Sequence, residues 1–258
     1  MTITEASAWC LVVNATSGPI TDLTIVHTAK NELTNRPPPM TLQSFETSSF
    51  VATIVEGSSD EWSVSFKVNG TTLSGSTRCD IEEVDLNSQT FVILALYDAS
   101  VGFSVIPPVS SACLHTSYDG DTALAATHAE VGTPLSDWSG PVQCLIFNAT
   151  GGPISDVQVA HSIGGTTQSP PVGSLNNGGT LLYTIESEGA GYGSNLSDEW
   201  SVSFVTGSVT LQRSGKQCNI EQEDFQANSC VIVALYNAMN GFSIITPVSK
   251  PCLNNQYE

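Results

Sequence analysis

Residues Cys79–Leu114 read CDIEEVDLNSQTFVILALYDASVGFSVIPPVSSACL, and residues Cys218–Leu253 read CNIEQEDFQANSCVIVALYNAMNGFSIITPVSKPCL. The two align without a gap and about half of their positions are identical, so the chain contains one unit twice. Inside the stretch, Phe91–Tyr97 is apolar throughout, as expected of a central strand buried on both faces. GFSVI follows a tight turn at Asp98–Gly102 and reads as the returning strand of a hairpin.

The likeness extends upstream. SDEWSVSF occurs at Ser59–Phe66 and again at Ser197–Phe204, and NATSGPITDLTIVH (Asn14–His27) answers NATGGPISDVQVAH (Asn148–His161). The period is two. Trp62, Val64 and Phe66 point one way and Ser63 and Ser65 the other, while Leu23, Ile25 and His27 share a face. Short alternating runs broken by Gly, Pro, Asn and Ser imply an all-β chain of two tandem homologous antiparallel β-sandwich domains. The spans are residues 1–118 and 141–258, joined by a linker at 119–140, in which DTALAATHAE is the one stretch with helical character.

Composition narrows the function classes. Lys and Arg number only seven against twenty-five Asp and Glu, for a net charge of −18. That charge repels phosphate backbones and anionic lipid surfaces, so nucleic acid is excluded as a partner, and a neutral headgroup is not. No apolar run reaches the ~18 residues a transmembrane helix needs. The N-terminus MTITEASAW has neither a basic start nor an apolar core, which is read as no signal peptide and a cytoplasmic or non-classically secreted protein. Seven cysteines fall as Cys10, Cys79, Cys113 against Cys144, Cys218, Cys252, with Cys230 extra. If bridges form, Cys79–Cys113 and Cys218–Cys252 are the pairs; free buried thiols are the alternative.

Three repeated polar groups are candidate sites. His27 and His161 stand at the same place in both copies, either as pocket groups or as histidines hydrogen-bonded at the core's edge. Asp60 and Glu61, and their repeats Asp198 and Glu199, precede a tryptophan; the acids suit a ligand's hydroxyls, while the alternation turns Trp62 and Trp200 into the core. Glu82 and Asp85, with Glu221 and Asp224, form an acidic cluster of the type calcium favours, or an exposed acidic turn. Tyr192, in a loop of the second unit that differs from the first unit's (Glu186–Leu196), is a further ligand candidate, because loops that diverge on a kept scaffold carry specificity. Asn14, Asn69, Asn148 and Asn195 each open an N-x-[ST] sequon, which turn chemistry also explains. No G-x-S-x-G, H-E-x-x-H or phosphate-binding glycine loop is present.

The repeated N-A-T-x-G-P-I-x-D opening (Asn14–Asp22, Asn148–Asp156), in acidic all-β units, resembles aegerolysins and actinoporin-like fungal lectins. Those are compact β-sandwiches that bind membrane lipids or glycans, and some help form pores. The resemblance therefore implies a lectin-like or lipid-headgroup-binding protein with a defence or toxin role. It implies no cofactor and transfers no binding residue to a numbered position. The expected function is non-catalytic recognition through the loops of two duplicated domains, with glycan or lipid headgroup as partner. The alternatives are an enzyme with an acid/base site in a cleft between domains, and a structural or storage protein.

Overall fold

The computed structural model describes residues 5–30, 32–55, 59–86, 91–99, 101–119, 139–163, 166–169, 173–188, 197–221, 224 and 230–258. Tyr192, Asn195 and the helical stretch DTALAATHAE lie outside them. The chain divides into two compact units, Met1–Gly132 and Thr133–Glu258, and each is a β-sandwich.

In the first unit one sheet contains β1 (Glu5–Asn14), β5 (Thr47–Val55), β8 (Phe91–Leu96), β9 (Phe103–Ile106) and β10 (Cys113–Thr116), in the order β10-β9-β8-β1-β5. The other holds β2 (Ile20–Ala29), β3 (Glu32–Asn35), β4 (Met40–Leu42), β6 (Asp60–Val68) and β7 (Thr71–Arg78), in the order β3-β2-β6-β7 with β4 also on β2. The second unit repeats the plan. Its first sheet runs β15 (Thr180–Glu188), β11 (Ser139–Asn148), β18 (Val231–Leu235), β19 (Phe242–Ile245), β20 (Cys252–Asn255). Its second sheet is built from β12 (Ile154–Ile163), β13 (Thr166–Gln168), β14 (Gly173–Leu175), β16 (Glu199–Thr206) and β17 (Val209–Gln217).

The period-two pattern becomes the sandwich core. Cys10, Val12, Val92, Leu94, Phe103 and Val105 from the first sheet meet Leu23, Ile25, Trp62, Val64, Phe66 and Leu73 from the second. In the other unit Cys144, Ile146, Val231, Val233, Phe242 and Ile244 meet Val157, Val159, Trp200, Val202, Phe204 and Leu211. Every residue of β8 and of β18 is buried, so the apolar run at the centre of the repeat is indeed the central strand. Removing a buried tryptophan from such a core costs about 3–5 kcal/mol.

One pairing in each unit departs from an antiparallel plan. β1 runs parallel to β8, and β11 runs parallel to β18. The chain leaves β1 for the opposite sheet, comes back antiparallel as β5, crosses again and returns as β8 on the other side of β1. A parallel pair needs such a long crossover, and side-chain periodicity does not report strand direction.

Turns are set by residue chemistry. Asn69-Gly70, both with positive φ (49° and 84°), closes β6 and β7 as a two-residue hairpin. Asp22 and Asp156, φ 53° and 51°, sit at matching register shifts in β2 and β12. Asn14 and Asn148 are buried at the ends of β1 and β11. The Asn14 amide donates to the carbonyls of Gly18, Leu42 and Gln43, and its oxygen accepts from the backbone N–H and hydroxyl of Thr16. Asn148 makes the same set with Gly152, Leu175, Asn176 and Thr150. The repeated N-A-T is thus turn chemistry, its asparagine fully spent inside the fold.

The repeat also runs on past Leu114 and Leu253. Tyr118 and Tyr257 donate to the Tyr97 and Tyr236 carbonyls, meet Phe66 and Phe204 edge-on and stack near Phe103 and Phe242. Residues 115–119, although they follow the best-matched stretch, therefore close the first unit. Among the described residues no helix is long and apolar enough to cross a membrane.

Candidate functional site

The repeated polar residues gather at one end of each sandwich. The DEW motif opens β6 opposite the end of β2, with His27 paired to Trp62 and Ala29 to Asp60. Asp60 and His27 are both buried, with Asp60 Oδ1 2.9 Å from His27 Nε2. Asp60 Oδ2 accepts the Ile81 N–H at 2.9 Å, and its carbonyl accepts the Cys79 N–H at 2.9 Å. Trp62 Nε1 donates to the Cys79 carbonyl at 3.1 Å, and its ring lies 4.3 Å from the imidazole.

The second unit builds the same hub. His161–Asp198 is 2.6 Å, Ile220 N–H to Asp198 Oδ2 2.8 Å, Trp200 to the Cys218 carbonyl 2.9 Å, and the rings 4.7 Å apart. A buried carboxylate is tolerable only when paired and hydrogen-bonded, and each of these is. The hub ties β2, β6 and the Cys79–Ile81 segment together, and its members have no solvent contact with which to meet a ligand. Of the two readings of His27 and His161, the geometry places them as hydrogen-bonded core histidines.

The Cys10 thiol is in the same core. Burial pushes it above the ordinary thiol range, and the Asp60 charge adds to that. Cys144 is raised by burial and by Cys230, and Cys230 itself is pushed up to about 12 by burial. Protonated and enclosed, these thiols are not nucleophiles.

Cys79 and Cys113 are bridged, as are Cys218 and Cys252, each pair 34 residues apart. The bridge joins the segment after β7, in one sheet, to the start of β10 at the edge of the other. A loop of that length corresponds to about 3–4 kcal/mol of stabilisation.

The acidic cluster separates into two kinds of residue. Asp85, in a one-turn helix α1 (Glu83–Leu86), is buried and takes four donors: the N–H groups of Glu82, Val109 and Ser110 and the Ser110 hydroxyl. Asp224 takes the matching four from Glu221, Val248 and Ser249. A carboxylate saturated by donors clamps the PVS loop and has no lone pair directed at a cation. Glu82 is exposed and Glu221 half-exposed, their backbones held by the clamp. Among the described residues no group of three acidic, His or Cys side chains is placed to hold a metal.

What faces solvent at this end is different in the two units. Glu61 and Glu199 are exposed; Glu61 stands opposite Arg78, and Glu199 opposite Gln217. In the second unit a cavity of about 260 Å³ opens beside the Cys218–Cys252 bridge, lined by Ser197, Gln217, Asn219, Glu221, Ser249 and Lys250. The first unit has Arg78, Asp80 and Ser111 where the second has Gln217, Asn219 and Lys250. Gln217, Asn219 and Lys250 were not among the sequence candidates. Their signal was there in the repeat, as positions that change charge beside cysteines that do not change.

No protein-family model matches the chain, and no curated protein matches it. Among solved structures it is similar to the two tandem C2 domains of extended synaptotagmin 2, at 11% identity and a TM-score of 0.25, over 100% of this chain and 94% of that one. The calcium-bound form of those domains aligns at 8% identity and a TM-score of 0.20, over 83% of this chain and 85% of that one. Likeness at this level carries no argument about ligand or activity.

Proposed function

We propose that the protein is a non-catalytic recognition protein whose two β-sandwich units bind neutral or zwitterionic groups, glycan or lipid headgroup, at their exposed ends. The observation that supports this reading is the cavity beside Cys218–Cys252: a concave site lined by amide, hydroxyl, carboxylate and ammonium groups. The acid/base pairs His27–Asp60 and His161–Asp198 are buried and spent on the fold, which leaves an enzyme reading without an accessible general base at these positions. The net charge of −18 favours a neutral or zwitterionic ligand over an anionic one. Two units on one chain add avidity at a surface that displays the ligand repeatedly. The resemblance to aegerolysins and actinoporin-like lectins points to the same class, and to a defence role. The two bridges support an oxidising compartment.

The test is binding of the full chain to a neutral glycan array and to phosphatidylcholine and sphingomyelin vesicles. Removing the cavity's amide and ammonium groups (Gln217→Ala with Lys250→Ala) is expected to weaken binding at least tenfold with stability unchanged. A chain that binds neither panel overturns the proposal.

A further inference from the structure

We infer that the face of β1 around Trp9 is a sugar-stacking platform, carried by the first unit alone. This rests on the recognition reading and names a ligand class for a second place on the molecule, distinct from the cavity beside Cys218–Cys252.

Trp9 is 50% exposed on a sheet surface. Its cross-strand neighbours are Val51 on β5, 39% exposed, and Phe91 on β8, whose ring lies 6.0 Å away and tilted by 53°. The next positions on the same face bring Ser7 and Ser49, both exposed, and Thr53, half-exposed. An indole braced from one side and ringed by hydroxyl and apolar side chains, with no charge among these immediate neighbours, is suited to the C–H face of a pyranose. The ring packs on the indole, and the sugar hydroxyls meet Ser7, Ser49 and Thr53. On a chain of net charge −18, uncharged described neighbours around Trp9 suit a neutral ligand.

The duplication supplies the independent control. In the second unit the positions of Trp9 and Val51 are Gln143 and Thr184, which close on each other by a 2.9 Å hydrogen bond from Gln143 Nε2 to Thr184 Oγ1. The same sheet therefore folds without an aromatic residue or an apolar partner there. An exposed tryptophan that the scaffold does not require, placed where aromatic side chains dominate binding energetics, is accounted for by a ligand.

The experiment compares the native full chain with Trp9→Ala, Trp9→Phe and the double change Trp9→Gln with Val51→Thr, which copies the pair the second unit already tolerates. Binding is measured against neutral cello-, chito- and manno-oligosaccharides and against phosphatidylcholine vesicles, with urea unfolding as the control for folding. The expected result is at least a tenfold loss of oligosaccharide affinity in Trp9→Ala and in the double variant, with most of it kept by Trp9→Phe. Oligosaccharide binding that the double variant leaves intact overturns the platform and spares the recognition reading. Loss of vesicle binding alone overturns the sugar class and makes Trp9 a membrane contact. A native chain that binds neither probe overturns platform and recognition together.

Discussion

The two units agree most closely where they are buried and polar, and differ most where they are exposed. The His–Asp contact is 2.9 Å in one and 2.6 Å in the other, and the Trp–carbonyl bond 3.1 and 2.9 Å. The four-donor clamps on Asp85 and Asp224 match bond for bond. Yet the positions of Trp9 and Val51 hold Gln143 and Thr184 in the second unit, and those of Arg78 and Asp80 hold Gln217 and Asn219. Residues that look catalytic are thus the ones the fold cannot give up, because an unpaired buried charge costs more than any surface contact returns. Recognition is left to positions that two copies of one scaffold can change freely.

The comparison is broken most easily at the hubs. Asp60→Ala and Asp198→Ala each strand a buried histidine and a backbone N–H, and each should cost about 3–5 kcal/mol in urea unfolding. A loss under about 1 kcal/mol in either unit would show that the hubs are not equivalent. Next come the bridges: Cys79→Ser with Cys113→Ser, or Cys218→Ser with Cys252→Ser, should cost about 3–4 kcal/mol each, read from the same unfolding curves.

The free thiols sharpen the comparison, since the first unit holds Cys10 and the second both Cys144 and Cys230. A thiol raised by burial contributes stability in full below its ordinary value of 9.0, and loses it as pH rises towards the folded value, about 12 for Cys230. Stability should therefore fall above pH 9, more steeply in the second unit. Iodoacetamide at pH 8 should label these thiols only after unfolding.

The smallest effect concerns one turn. Phe45 has φ 62° where the second unit places Gly178 at 75°. Phe45→Gly should stabilise, and Gly178→Ala destabilise, by about 1 kcal/mol in thermal unfolding.

Much of the fold was legible because each unit annotates the other. WSVSF alternates in both copies, FVILALY and CVIVALY are apolar in both, and the cysteines bracket the same 34-residue separation. The candidate site was less legible. Periodicity placed His27 beside Leu23 and Ile25 but said nothing of Asp60, 33 residues on, whose carboxylate completes it. The spacing of Glu82 and Asp85 suggested a cation because sequence shows the acids and hides the three N–H groups and one hydroxyl that converge on Asp85. The closing tyrosines Tyr118 and Tyr257 stand 139 positions apart, as do Cys79 and Cys218, but the residues around them do not match, so only the contacts with Phe66, Phe103, Phe204 and Phe242 show what they do.

By itself, the sequence determined that this chain is one all-β unit built twice, which strand faces turn inward and which cysteines are available to bridge. Those follow from local rules: a side-chain period of two, turn residues at strand ends, and a duplication that marks both. Only the tertiary structure decided that β1 lies parallel to β8, that the shared histidines and aspartates pair with one another out of water, and that Trp9 remains at the surface. Each of those depends on which distant segments meet across the sandwich, and burial is a property of that meeting rather than of any residue alone.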